Sequence, residues 1–153
     1  TFSVTAASKV NAAVKATINL TVVEKEAGQT REISPSQFKK ADGAFYTNEE
    51  ISLEINPWKF VVSKGTSMEN ELRVFKNQTL TISCTTGLRK KIEFTCTTAG
   101  NAKYGPGALV ADNYKAGADN VGVWELAEGK NSVIFTASNN QCRITKIAIT
   151  YSL

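Results

Sequence analysis

Two stretches, Leu80 to Cys96 (LTISCTTGLRKKIEFTC) and Val133 to Tyr151 (VIFTASNNQCRITKIAITY), alternate apolar and polar residues on both sides of a polar cluster. An extended chain sends successive side chains to opposite faces, so a period of two leaves one face to bury and one to hydrate. The stretches also echo each other: each runs through a turn cluster and a basic approach to Lys-Ile, then ends on Thr and one apolar residue. Each is expected to fold as a β-hairpin, the first turning at Thr86-Gly87.

The rest of the chain agrees with this start. Thr, Ser, Val and Ile recur in short alternating runs, and apolar spacings of three and four are scarce. At 153 residues, 42% apolar and 21% charged, the sequence has the length and composition of one globular domain. About ten short strands separated by turn signals predict an all-β fold, a two-layer antiparallel β-sandwich. Long connections favour a jelly roll over an immunoglobulin-like meander.

Charge and cysteine content narrow the functional classes. Residues 59–93 hold seven basic residues (Lys59, Lys64, Arg73, Lys76, Arg89, Lys90, Lys91) against Glu69, Glu71 and Glu93, which accounts for the whole net charge of +4. No nucleic-acid motif accompanies them, so they are expected to hydrate a sheet face and no nucleic-acid partner is expected. The chain has no histidine, which removes imidazole-based catalysis and imidazole metal ligands. Its three cysteines cannot all pair with one another. Strand parity points Cys84 and Cys96 inward as packed thiols, and a Cys84–Cys142 disulfide between the two stretches is the alternative reading. Apolar runs fall far short of the ~20 residues a spanning helix requires, so no membrane span is expected. Thr1 suggests a processed chain, compatible with export, and Asn19 and Asn77 open Asn-x-Thr sequons.

In chain order, strands are expected near Phe2 and over Val14 to Val23. Ser34-Pro35 should cap one or two helical turns that bury Phe38. Ile51 to Ile55 and Trp58 to Val62 should be strands broken by Asn56-Pro57, followed by a polar loop from Ser63 to Asn70. Gly122 to Trp124 resumes a strand, and Glu128 to Asn131 should turn it. Ile144 lies on the opposite parity from Ile147, Ile149 and Tyr151, which requires a β-bulge between Ile144 and Ile147 if all four are to be buried. Trp58 and Trp124, each within apolar alternation, are expected in the core or at a sheet edge.

Ala99 to Val121 is the least strand-like segment, with four glycines among Asn, Asp and Ala. A connection of this length is either a functional loop or a packed crossover with a short strand near Leu109-Val110. As a loop it would offer a ligand site. Tyr104 and Tyr114 could stack on sugar faces, while Asp112, Asn113 and Asn120 could pair with hydroxyls. The repeated Asp-Asn pairs could lend oxygens to a structural calcium, although they lack the spacing of an EF-hand loop. No other cofactor and no other metal is expected. Asp112, Asp119, Glu125 and Glu128 are the carboxylates near this segment, and ordinary turn acidity accounts for them, so no catalytic residue is assigned and the chain is not expected to be an enzyme.

Glu71 to Ser83, Lys91-Ile-Glu-Phe, Trp124, Ser132 to Ala137 and Arg143 to Tyr151 together resemble jelly-roll modules of secreted and surface-lipoprotein proteins of Bacteroidetes. The likeness covers about residues 51–153 and rests on strand pattern. Such modules have Trp-Gly before the Val-x-Phe strand, whereas here Trp124 is followed by Glu125-Leu126 and Gly129 comes later. The resemblance implies an exported extracellular or cell-surface protein, with a lipid anchor before trimming where it follows the surface lipoproteins, and a carbohydrate-binding-like fold. Two functions follow as expectations: a non-catalytic module that binds glycan, and a structural or adhesion module that contacts other proteins.

Overall fold

The computed structural model describes residues 2–7, 15–20, 28–85, 88–100 and 103–152. Its strands pair antiparallel throughout. β1 (Phe2–Ala7) and β2 (Lys15–Leu20) form a two-stranded sheet of their own. A second, continuous sheet holds β3 (Gln29–Ile33), β4 (Thr47–Ile55), β5 (Trp58–Ser67), β6 (Leu72–Val74), β7 (Thr79–Cys84), β8 (Leu88–Cys96), β9 (Leu109–Val110), β10 (Tyr114–Ala116), β11 (Val121–Lys130), β12 (Ser132–Ala137) and β13 (Cys142–Ser152). This sheet doubles over on itself. β4-β5-β7-β12-β9 make one layer and β3-β13-β8-β11-β10 the other, while β6 joins them by pairing with the end of β5 and the start of β13.

The two echoing stretches are not hairpins. β7 pairs with β5 and β12, and β8 pairs with β11 and β13, so the chain crosses from one layer to the other between β7 and β8. β12 and β13 cross in the same way. The copies pair with each other: Leu80 lies opposite Phe135, Ile82 opposite Val133, Ile92 opposite Ile149 and Phe94 opposite Ile147. Alternation specifies which face is buried but carries no information about the partner strand, and a layer-crossing pair satisfies it as well as a hairpin does. Thr86-Gly87 lies outside the described residues. The resulting strand order is that of a jelly roll.

The core fills the space between the layers. Phe94 meets Phe135 edge-to-face at 4.8 Å, joining the layers at mid-height, and Phe38 meets Phe60 at 5.6 Å. Trp58 and Trp124 are buried, as expected of them. Each fully buried aromatic or aliphatic side chain contributes roughly 1.5–3 kcal/mol, so this row outweighs any surface pairing. The bulge in β13 falls between Ile144 and Lys146 and buries Ile144, Ile147 and Ile149 together.

Local departures have local causes. The helical turns expected after Ser34 reduce to a single 3-10 turn, Pro35–Gln37, in which the Ser34 N–H donates to Gln37 Oε1 at 2.9 Å and Phe38 is buried. The loop expected from Ser63 begins only after Ser67, because Gly65 and Ser67 are buried and paired with β6. β11 likewise runs through Gly129, which takes a positive φ of 68° beside a register shift.

Near the start of β4, Lys40 Nζ lies 2.6 Å from Glu49 Oε1, and the Thr47 N–H donates to the same oxygen at 3.0 Å. Both interactions, the ammonium first, hold the Glu49 carboxyl below its ordinary pKa. A carboxyl whose pKa falls on folding stabilises the fold above its unfolded value and loses that contribution as pH drops through the folded value. In a carboxyl-detected NMR titration, Glu49 should titrate below the ordinary glutamate range, and Lys40→Met should move its midpoint upward.

Candidate functional site

The 99–123 segment is a packed crossover. It supplies a second 3-10 turn, Pro106–Ala108, then β9, which pairs with the end of β12, and β10, which pairs with β11. Within it, Gly105, Pro106, Ala108 and Leu109 are buried. The short strand anticipated at Leu109-Val110 is β9 itself.

The five residues singled out from sequence do not converge. Tyr114 leans into the core: its ring meets Phe135 at 5.6 Å and Phe94 at 6.1 Å, both edge-on, and its hydroxyl donates to the Pro106 carbonyl at 2.9 Å. Burial pushes the phenol pKa upward. The hydroxyl rests above Gly122, where an added Cβ would lie only 1.9 Å from it. Tyr104 is half-buried, with the Arg143 guanidinium 4.1 Å from its ring centroid and Gly100 packed against Cδ2 and Cε2. Arg143 in turn lies against Gln141, whose amide oxygen accepts from Nη2 at 2.9 Å and from Nε at 3.2 Å when oriented to do so. A ring contacted in this way has little surface left for stacking on a sugar.

Asp112, Asn113 and Asn120 line three separate depressions. Asp112 shares one of about 310 Å³ with Trp124, Lys130 and Ile134. Asn113 borders another with Lys115, Val123 and Glu125, and Asn120 a third beside Pro106 and Ala116. Asn113, Asp119 and Asn120 have φ of 61°, 56° and 59°. Asn and Asp tolerate this left-handed conformation better than most residues, so the Asp-Asn echo marks the two turns that flank β10. Among the described residues, no group of three or more His, Cys, Asp or Glu could hold a metal ion. A further depression, about 290 Å³, lies at the β4–β5 turn between Asn56, Pro57, Trp58 and Thr85.

The basic segment is dispersed. Lys59 pairs with Glu54 on the first layer, Arg73 with Glu71 beside β6, and Lys91 with Glu93 on the second layer. The outer faces of the two layers differ more than their charges in sequence suggested. On the second layer, Glu32, Ala148, Glu93, Val123 and Lys115 form one cross-strand row, with Lys146 paired to Glu32 at 2.9 Å. On the first layer, the outward positions of β5 up to Ser63, of β7 and of β12 are six Ser or Thr residues, Val61, Ile134 and Lys59, with exposed Lys64 following on β5. Ile134 is 56% exposed, and Val110 on neighbouring β9 is 54% exposed.

This face was readable in outline. Val61 sits between inward Phe60 and Val62, and Ile134 between inward Val133 and Phe135, so parity alone sends both to solvent. No helix among the described residues is long and apolar enough to cross a membrane. Comparison with family models, with curated proteins and with solved structures found no match to this chain.

Proposed function

We propose that this chain is a non-catalytic contact module of an exported surface protein, acting through the outer face of its first layer. The observation that carries the reading is the contrast between the layers. A face of Ser, Thr, Val and Ile loses little hydration on meeting a flat partner, whereas the paired Lys and Glu of the other layer would have to be desolvated. Three of the edges are poorly suited to contact by strand addition: β9 and β10 are two and three residues long, and edge strand β4 carries Glu49, Glu50 and Glu54. The partner surface that fits is protein of the same kind, flat and sparsely charged, and a second copy of this chain offers it, with Lys59 paired to Glu54 and Lys64 at the end of the face.

The glycan reading draws less support. The two tyrosines that would have served as stacking platforms are committed to Arg143, Gly100, Phe94 and Phe135. Sedimentation velocity on the full chain, from micromolar to millimolar, separates the two. Concentration-dependent association that Ile134→Lys abolishes and Thr95→Lys on the opposite face preserves is the expected result. A chain that stays monomeric throughout, and gives glycan-array signals that Tyr104→Ala removes, would replace the contact reading with the carbohydrate one.

A further inference from the structure

Cys96 closes β8 and Cys142 opens β13, and both side chains are buried in the second layer with their sulfurs 3.6 Å apart. The register places Ile144 opposite Cys96, so Cys142 is its diagonal neighbour on the same inward face. Diagonal neighbours stand farther apart than opposed ones, yet the two side chains already reach across to van der Waals contact. The Cys142 sulfur lies 3.6 Å from the Gly105 carbonyl, and Tyr114 anchors Pro106 next to it. Cys84 belongs to β7, in the other layer and in register with Trp58. The alternative suggested by sequence, a Cys84–Cys142 bridge, is therefore replaced as the pairing this fold favours.

We propose that Cys96 and Cys142 are a disulfide-forming pair, which is reduced in the structure described and oxidised when the chain matures in an oxidising compartment. The oxidant is a small-molecule or protein disulfide. One cysteine thiolate attacks it to give a mixed disulfide and expel a thiol; the second thiolate attacks the protein sulfur of that intermediate and expels the other thiol. One S–S bond forms in the protein as one breaks in the oxidant. Two electrons pass to the oxidant, and the two protons end on its thiols. Closing the bond requires the sulfurs to approach from 3.6 Å to about 2.05 Å, a side-chain rotation at the open ends of two paired strands. Hydrogen bonding to Cys96 first, and then burial, push the Cys142 thiol pKa upward. Exchange thus takes place while the segment around Gly105 and Pro106 is open, during folding or local opening. The bond would tie the strand that ends at the crossover to the last strand of the sheet, closing a loop that contains β9 to β12.

The test uses the full chain, equilibrated in a mixture of oxidised and reduced glutathione, then denatured and alkylated. The expected product carries one alkyl group, on Cys84. It weighs about 2 Da less than the reduced chain before alkylation, and its non-reduced digest joins the Cys96 and Cys142 peptides. Reduction should lower the melting temperature by on the order of 10 °C, the effect expected for a loop of this length. The Cys84→Ala variant should retain the cross-link. Three alkylated cysteines after oxidation, or a linkage that includes Cys84, would overturn the proposal.

Discussion

Gly65→Ala lowers the melting temperature by about 10 °C, the result of a loss on the order of 3–4 kcal/mol. A Cβ at position 65 would lie 2.2 Å from the Arg73 carbonyl oxygen, 3.1 Å from Val62 Cγ1 and 3.2 Å from Ile51 Cδ1. The first of these is backbone and cannot turn aside. Relief requires β5 and β6 to separate at the place where β6 holds the two layers together. Thermal and urea unfolding of the variant measure the loss. Gly107→Ala, whose added carbon meets no atom within 4 Å, should leave stability within about 0.5 kcal/mol of the parent. Equal effects from the two substitutions would show that lost backbone freedom, and not the steric contact at Arg73, sets the cost at position 65.

The need for glycine at 65 was not visible in the sequence. Parity gave the segment up as a polar loop after Val62, because Ser63 and Lys64 both face solvent and break the alternation before Gly65 and Ser67 resume it. The β13 bulge was visible by the same logic used in reverse: three isoleucines of mixed parity all have strong reason to be buried, and only an extra residue satisfies them. What parity cannot supply is the identity of the neighbour. The two echoing stretches were correctly read as four strands with buried faces, yet their pairing, copy to copy across two layers, depends on contacts between residues more than fifty positions apart. The dispersal of the five candidate residues over separate surfaces was hidden for the same reason. Tyr104 looks available until Arg143, far along the chain, is placed at its ring, and Asn113 and Asn120 look like ligand groups until their left-handed backbone explains them.

The hydroxyl-rich, sparsely charged outer face of the first layer connects fold to function. A solvated sheet face needs no particular residue, and the second layer shows the ordinary solution of alternating Lys and Glu held in pairs. On the first layer the chain uses hydroxyls and branched methyls instead, and it keeps the charges of β4 at the edge. β-branched residues favour strands on either face, so propensity alone would accept this composition. It does not require Ile134 and Val110 to be exposed on adjoining strands, which is why introducing a charge at Ile134 is the informative substitution for association.

Tyr114→Ala should cost about 3 kcal/mol, near the lower end for deletion of an aromatic ring because part of the ring is exposed. Tyr114→Phe, which removes only the bond to Pro106, should cost about 1 kcal/mol. Gly122→Ala should cost about 2 kcal/mol in the parent, since its methyl would occupy the position of the Tyr114 hydroxyl and also lie 2.8 Å from Pro106 Cβ. In the Tyr114→Ala background the clash with the ring is gone and only the Pro106 contact remains, so its cost should fall to about 1 kcal/mol. Urea unfolding of the parent, both single variants and the double variant would then give a coupling of about 1 kcal/mol. Additive losses would mean that the ring and Gly122 do not share one contact, which would undo the account of the crossover as held down by Tyr114. The coupling also decides how ligand binding can be tested. Removing Tyr114 loosens the roof over Cys96 and Cys142, so a loss of binding in that variant would report on folding, whereas Tyr104→Ala probes the surface with the crossover intact.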